Sequence, residues 1–266
     1  MWLSLNANFR LKTFRLRMMV LGLLSMVFFV TGCTTYNVAT GRREFIIIPT
    51  ADEVAMGQNI HYDLTRRYEF VTDGPELERV RTIGQKLALI SDRQDFQYNF
   101  YVIDEDELNA FTVPGGNIYV YSGLLKKLSR DDQIAAVLAH EIGHCAARHT
   151  VKKFQAALGY NLIGSLVLGQ LEPGAGQQIA AQSTGMVMNV IFSAYGRQDE
   201  FEADRLGVKY MYLAGYDVQG MVETLGILKK ESNGPELPLI LKTHPHLDDR
   251  IKAVNEEIKT VKERYG

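Results

Sequence analysis

The segment 138–144, LAHEIGH, carries two histidines four positions apart inside an apolar run. Successive helical side chains are about 100° apart, so His140 and His144 lie on the same face and can share one ion. Glu141 lies about 100° round from His140, where it can reach a water on that ion without binding the ion. HExxH therefore predicts two ligands and a base. The alternative is an ordinary helix that carries two imidazoles, and zinc still needs a third protein ligand.

A third ligand is offered by the segment 197–204, RQDEFEAD. Glu200 and Asp204 are again four positions apart on a predicted helix, so both carboxylates point one way. In a zinc site Glu200 would bind the ion, and Asp204 would accept the free N–H of a ligating histidine and fix its tautomer. Taken alone, the segment is typical of a solvated acidic face with Arg197 and Arg205 as partners. Its coupling to HEIGH favours the metal site.

Two residues close to the second histidine are not expected to bind the ion. His149 stands about 180° from His140 on a continuous helix, which indicates a surface residue or one that supports a ligand from behind. Cys145 is turned about 140° away from His140 and is interpreted as a small packing residue.

The first 32 residues predict export. Four basic residues precede 13 apolar ones, Met18 to Val30, a run shorter than the roughly 20 residues of a membrane-spanning helix but typical of a secretory signal. VTGC (30–33) resembles the lipobox of bacterial lipoproteins, which implies cleavage before Cys33 and lipid attachment there. Thr34 replaces the aspartate that retains such proteins in the inner membrane, so an outer-membrane anchor facing the periplasm is expected. The alternative is a plain signal peptide or short anchor with an incidental cysteine.

The composition is that of a globular protein, with 46% hydrophobic and 23% charged residues. Residues 33–266 hold 25 basic and 31 acidic side chains, so no nucleic-acid partner is expected. With Cys33 lipidated, Cys145 would have no partner for an intramolecular disulfide.

Helical patterns dominate after the export signal. Strands are expected over 96–104 and, after a Pro-Gly-Gly turn, in the second part of 109–123. Thr50 and Glu53 resemble a capping box that opens a helix. The predicted helices cover about 50–70, 76–90, 129 through the HEIGH segment, 152–169, 177–193, 197–214, 217–231 and 247–264. We therefore expect an α+β, mainly α-helical fold, with residues 33–49 as a linker and edge strand and residues 50–266 as one domain.

These motifs, in this order, resemble the gluzincin metallopeptidases of family forty-eight. The resemblance spans most of the mature chain, from TGRREF (40–45) and ADEVAMGQ (51–58) through NAFTVPGGNIYVYSGLL (109–125) to THPHLDDRI (243–251). It implies a zincin-like domain with a small β-sheet beside the HExxH helix. It also implies one Zn2+ per chain, with a catalytic glutamate and a carboxylate behind a ligand. These roles fall on His140, His144 and Glu200 as ligands, Glu141 as the catalytic residue and Asp204 as the supporting carboxylate.

The same resemblance implies two roles for His244, in the THPHLDDR segment. It would stabilise the oxyanion, or it would occupy the fourth zinc position and block water, as in latent family members. A structural histidine of a capping loop is the third interpretation.

The segment 116–121 resembles the family's cleft edge strand, whose backbone would pair with an extended substrate. The pairing residues would be Gly116, Asn117, Ile118 and Tyr119. Because backbone pairing reads shape more than sequence, the resemblance implies a zinc endopeptidase for unfolded or damaged envelope proteins. Envelope assembly machinery is a further expected partner. The alternative is a lipid-anchored chaperone or assembly factor that keeps this fold and cleaves little.

Overall fold

The computed structural model describes residues 34–167 and 184–266. The predicted signal peptide and Cys33 lie outside these residues, as do parts of the helices expected over 152–169 and 177–193. The described chain divides into two compact units. The first comprises residues 34–37 and 41–47, and the second comprises the remainder.

The first unit is a hairpin of two antiparallel strands, β1 (Thr34–Asn37) and β2 (Arg42–Phe45). Gly41, at φ +67°, donates its backbone N–H to the carbonyl of Asn37 at 2.9 Å and closes the turn. The β-branched residues 46–48, which the sequence predicts as an edge strand that Pro49 ends, do not form a strand, because β2 ends at Phe45 immediately before them.

The second unit is mainly helical with one small sheet, which confirms the predicted fold class. Its strands are β3 (Asn99–Ile103), β4 (Ala110–Val113) and β5 (Asn117–Tyr121). Its described helices are α1 (Thr50–Thr65), α2 (Pro75–Ala88), α3 (Ser122–Lys127), α4 (Asp131–Ala146), α5 (His149–Val167), α6 (Thr184–Ile191), α7 (Arg197–Leu213), α8 (Gln219–Glu231), α9 (Leu239–Thr243) and α10 (Leu247–Tyr265). Among the helices of the described residues, none has the length and apolar composition needed to cross a bilayer.

The three-stranded sheet has the order β3-β5-β4. β3 runs parallel to β5 with Asn99 opposite Asn117, and β4 runs antiparallel to it with Ala110 opposite Val120. The prediction that β5 is an edge strand is therefore wrong, because neighbouring strands pair with both of its backbone edges. Within the described residues the edges belong to β3 and β4. The alternation of side chains in β5 predicts a strand, but it carries no information about which strands pair with it.

Helix α4, which contains the HEIGH segment, lies at the centre of this unit. It packs against α2, α7, α8 and β4, and every residue from Gln133 to Ala146 is buried. A helix that is covered on all sides is apolar on all sides, which is why the polar groups of this segment stand out in the sequence. The helix begins at Asp131, where the Gln133 side-chain oxygen accepts the backbone N–H groups of Ser129 and Arg130 at 3.0 and 3.3 Å.

Helices α4 and α7 cross at a separation that glycine permits. A Cβ on Gly143 would lie 2.7 Å from the backbone oxygen of Ala203, and a Cβ on Gly207 would lie 3.2 Å from the backbone nitrogen of His140. The first distance is too short for an added methyl group unless a backbone moves, and the second would be a tight contact. The glycines thus bring the HExxH face of α4 directly against the acidic face of α7.

Glu53 does not form the predicted capping box. Helix α1 follows Pro49 without a side-chain cap, and Glu53 instead pairs with Arg93 at 2.6 and 2.8 Å, with both side chains buried. Arg93 also donates to the backbone carbonyl of Cys145 at 3.2 Å. The pair therefore links the start of α1 to the end of the HExxH helix.

Candidate metal centre

Four buried side chains from three parts of the chain converge on one point. His140 and His144 come from α4, Glu200 comes from α7, and His244 follows α9. One donor atom from each lies within 4.8 Å of the others. The Nε2 atoms of His140 and His144 are 3.1 Å apart, and the carboxylate oxygens of Glu200 lie 3.6 and 3.4 Å from them. The three residues predicted as ligands are thus together.

The residues at this point fit a metal ion. Imidazole nitrogens and a carboxylate oxygen are the donor set of many zinc sites. Two buried atoms here, Glu141 Oε2 and His244 Nε2, have no hydrogen-bond partner among the described residues, although buried polar atoms are nearly always paired. A cation among these groups would give the facing nitrogens and oxygens a common partner.

Asp204 lies behind His140, as predicted. Its Oδ1 is 2.8 Å from His140 Nδ1, so Nδ1 carries the hydrogen and leaves Nε2 directed at the cluster. Arg250 donates to both carboxylate oxygens of Asp204, and its Nη1 lies 2.6 Å from Glu200 Oε2. In the sequence Arg250 ends the THPHLDDR segment (243–250), and no sequence pattern links it to Asp204 or Glu200 on α7.

Charge at the site is set by burial and by Arg250. Burial alone would raise the pKa of Glu200, but the neighbouring Arg250 and His244 outweigh it and hold that pKa well below the usual range. Burial would also raise the pKa of Asp204, but Arg250 and His140 together outweigh it and lower that pKa. Both carboxylates are therefore ionised, as a ligand and a hydrogen-bond acceptor must be.

Two further pKa shifts suit metal-dependent hydrolysis. Burial holds the pKa of His144 well below its ordinary value, which keeps the ring neutral and able to bind a cation. Burial also raises the pKa of Glu141, which suits a carboxyl group that must take up a proton and give it back.

The His244 ring lies inside the cluster. Its Nδ1 is 3.1 Å from Glu200 Oε1 and 3.2 Å from His140 Nε2, and its Nε2 is 3.6 Å from Glu141 Oε1. His244 is also the C-cap residue of α9, where its backbone N–H donates to the Ile240 carbonyl at 2.8 Å, so the capping-loop interpretation stays a prediction. The two roles implied for His244 at the metal remain proposals.

The structure also shows where the two residues close to His144, His149 and Cys145, lie. Of the two positions expected for His149, the surface one is wrong, because the side chain is 1% exposed; it contacts His144 from behind, which is the other expected position. Cys145 turns away from the site as expected, with Sγ 2.8 Å from Thr112 Oγ1, and burial raises its pKa to about 12. Tyr195, which the sequence reasoning missed, stacks on the His144 ring at 3.9 Å between centroids.

The predicted substrate strand has a neighbouring strand on each of its backbone edges. Residues 116–119 are buried, and the Tyr119 ring stacks between Phe111 and Tyr101 at 4.9 and 5.2 Å. β4 is the edge strand that contacts the HExxH helix, through Thr112 and Cys145. The residues of β4 are buried too, so within the described residues β4 differs from β5 in having one backbone edge without a neighbouring strand.

Comparison with known proteins agrees with this geometry. Residues 76–258 match peptidase family M48. The beta-barrel assembly-enhancing proteases of Yersinia pestis and Escherichia coli (strain K12) are each 28% identical to the chain, over 218 and 211 residues, or 79% and 75% of it. The mitochondrial metalloendopeptidase OMA1 of Schizosaccharomyces pombe is 26% identical over 227 residues, 83% of this chain and 65% of that protein. The matches cover 44% and 42% of the two bacterial relatives, so the chain spans less than half of their length.

Proposed function

The chain belongs to peptidase family M48, and on that premise we propose that it is a zinc-dependent endopeptidase for unfolded or damaged proteins of the bacterial cell envelope. One observation carries the proposal: His140, His144 and Glu200 meet at a single point with Glu141 beside them. Three protein ligands with a neighbouring carboxyl group are the arrangement of a catalytic rather than a structural zinc site.

Zinc held by His140, His144 and Glu200 would supply a Lewis acid for the peptide carbonyl and would lower the pKa of a water. Glu141 then takes the proton of that water and returns it to the leaving amine. Its free Oε2 is available for this transfer, and its raised pKa allows the return step. Asp204 and Arg250 hold His140 and Glu200 in orientation meanwhile.

The expected preference for unfolded chains is based on the elements that surround Glu141. β4 is an edge strand beside the HExxH helix, and an extended segment would add to the sheet at such an edge. A mostly apolar cavity of about 30 Å³, large enough for a water molecule, lies beside Glu141 and His244. Its apolar walls come from Ala136, Val137, Met221, Leu225, Leu228 and Ile240. We expect reduced, alkylated ribonuclease to be cleaved faster than native ribonuclease, and faster cleavage of the native form would overturn this preference.

Attachment at Cys33 to the outer membrane, facing the periplasm, completes the proposal. The VTGC segment supports it. The bacterial relatives are named for enhancing β-barrel assembly, and we extend that environment to this chain, with envelope assembly machinery as a partner. Cells fed labelled palmitate should label the chain but not its Cys33→Ser variant; equal labelling of the two would exclude lipidation at this residue.

Glu141→Gln tests the activity. The amide keeps the size of the side chain but cannot take up the proton, so zinc content and folding should persist while hydrolysis falls by about 10² to 10⁴. Zinc is measured by metal analysis and hydrolysis with an unfolded protein substrate. Full hydrolysis by the variant would exclude Glu141 as the base.

The position of His244 favours a second candidate, a lipid-anchored chaperone or assembly factor that cleaves little. Its ring fills a place beside the ligands that water needs for attack. For this function, Glu141→Gln would protect an unfolded client from aggregation as well as the native protein does. Loss of that protection would leave the peptidase as the better account.

A further inference from the structure

The far nitrogen of His144 contacts a second histidine. His144 Nδ1 lies 2.9 Å from His149 Nδ1, and both side chains are fully buried. His149 is the first residue of α5, one turn beyond the end of the HExxH helix. On its other side, His149 Nε2 lies 3.3 Å from Glu202 Oε2 and 3.5 Å from Asp199 Oδ1. These two acids flank Glu200 on α7.

Only one placement of the hydrogens on His144 and His149 leaves His144 able to bind a metal ion. His144 Nε2 faces the cluster and must be bare to bind a cation, so its hydrogen is on Nδ1. His144 Nδ1 then donates, and His149 Nδ1 must accept. A neutral imidazole carries one hydrogen, so the hydrogen of His149 is on Nε2 and points to Glu202 and Asp199.

From this geometry we propose that His149 is a positioning residue for zinc, which fixes the tautomer and ring orientation of His144. The inference rests on the proposed zinc site and adds a residue to it. Asp204 serves His140 directly through a carboxylate, whereas the carboxylates that serve His144 act through a second imidazole. Through that ring, the start of α5 and the acidic face of α7 orient the second ligand of α4.

Zinc affinity of purified variants tests the role. His149→Leu replaces the ring with an apolar side chain of similar size and so removes the hydrogen-bond acceptor. His149→Asn places a carbonyl oxygen close to the position of Nδ1. Loss of a supporting hydrogen bond behind a metal ligand weakens binding 10- to 100-fold. We expect that loss in the leucine variant and recovery of most of it in the asparagine variant, measured by competition with a chromogenic chelator. His61→Leu, on α1, is the control and should bind zinc as the native protein does.

Nitrogen-15 NMR of the native zinc-loaded protein tests the tautomer without a variant, which matters if the leucine variant does not fold. We expect a bare Nδ1 and a protonated Nε2 on His149. A proton on His149 Nδ1 would overturn the inference, and so would native zinc affinity in a folded His149→Leu variant. Failure of the native protein to bind zinc would instead remove the proposed function itself, so the two results are distinct.

Discussion

Arg250 holds Asp204 with two contacts, from Nε to Oδ2 at 2.7 Å and from Nη2 to Oδ1 at 2.8 Å. Both side chains are buried, and the same guanidinium group lies 2.6 Å from Glu200 Oε2. The Arg250 guanidinium group therefore neutralises two carboxylates, that of Glu200, a predicted metal ligand, and that of Asp204, which orients His140. The planar fork of arginine allows this, whereas the single ammonium group of lysine does not.

Loss of Arg250 should destabilise the protein strongly. Arg250→Met leaves two buried carboxylates without their cation, a change that typically costs about 3–5 kcal/mol. Urea unfolding of the metal-free protein measures it. The matched control is Arg79→Met, since Arg79 pairs with Asp131 on the surface and such pairs contribute about 0–1 kcal/mol. Equal losses of unfolding free energy in the two variants would show that burial does not increase the contribution of the Arg250–Asp204 pair to stability.

Gly143→Ala should weaken zinc binding although the residue is not a ligand. The new methyl group would meet the backbone oxygen of Ala203 at 2.7 Å and push α7, with Glu200, away from α4. Gly159→Ala on α5 is the control, because a Cβ there has open space and alanine is the better helix former by about 1 kcal/mol. Zinc affinity by chelator competition should fall only in the first variant; unchanged affinity there would mean that the helices can separate without cost.

His244→Ala should raise hydrolysis of an unfolded substrate if the ring keeps water from the metal. Its Nδ1 lies within 3.2 Å of both His140 Nε2 and Glu200 Oε1, the place where a reacting group would have to enter. Initial rates at saturating zinc measure the effect. A fall in kcat, with zinc content intact, would favour the oxyanion role instead.

Lys153 should titrate at unusually low pH. Burial lowers the pKa of its ammonium group to about 8, although Nζ donates to the Ser193 carbonyl at 2.7 Å and lies 3.8 Å from the centroid of the Tyr195 ring. The titration of labelled lysine Nζ by NMR should show one midpoint near that value, absent in Lys153→Met. Midpoints that all lie close to 10.4, the ordinary value, would contradict the effect of burial.

The same shift predicts a change in stability with pH. Between about pH 8 and about 10.4, Lys153 is neutral in the folded chain and still charged in the unfolded chain. The unfolded chain then binds more protons, so the contribution of Lys153 to the free energy of unfolding rises with pH across this window. Subtracting the unfolding curves of Lys153→Met from those of the native protein isolates this contribution, and a flat difference would contradict it.

The sequence by itself determined the local chemistry of the site. Helical periodicity fixes which side chains share a face, so His140 with His144, and Glu200 with Asp204, followed from their spacing. The mainly helical fold followed from the same periodicity. Thr50 and Glu53 show the limit of such local patterns, since Glu53 pairs with Arg93 on a distant loop.

Only the tertiary structure decided which separate elements meet. Helices α4 and α7 cross closely at Gly143, and the chain returns to them after α9. These contacts bring four further residues to the site: His149, Tyr195, His244 and Arg250. The central place of β5 likewise depends on which strands pair with it. Spacing along one helix or strand is a local property of the chain, whereas pairing and crossing depend on contacts between residues far apart in sequence.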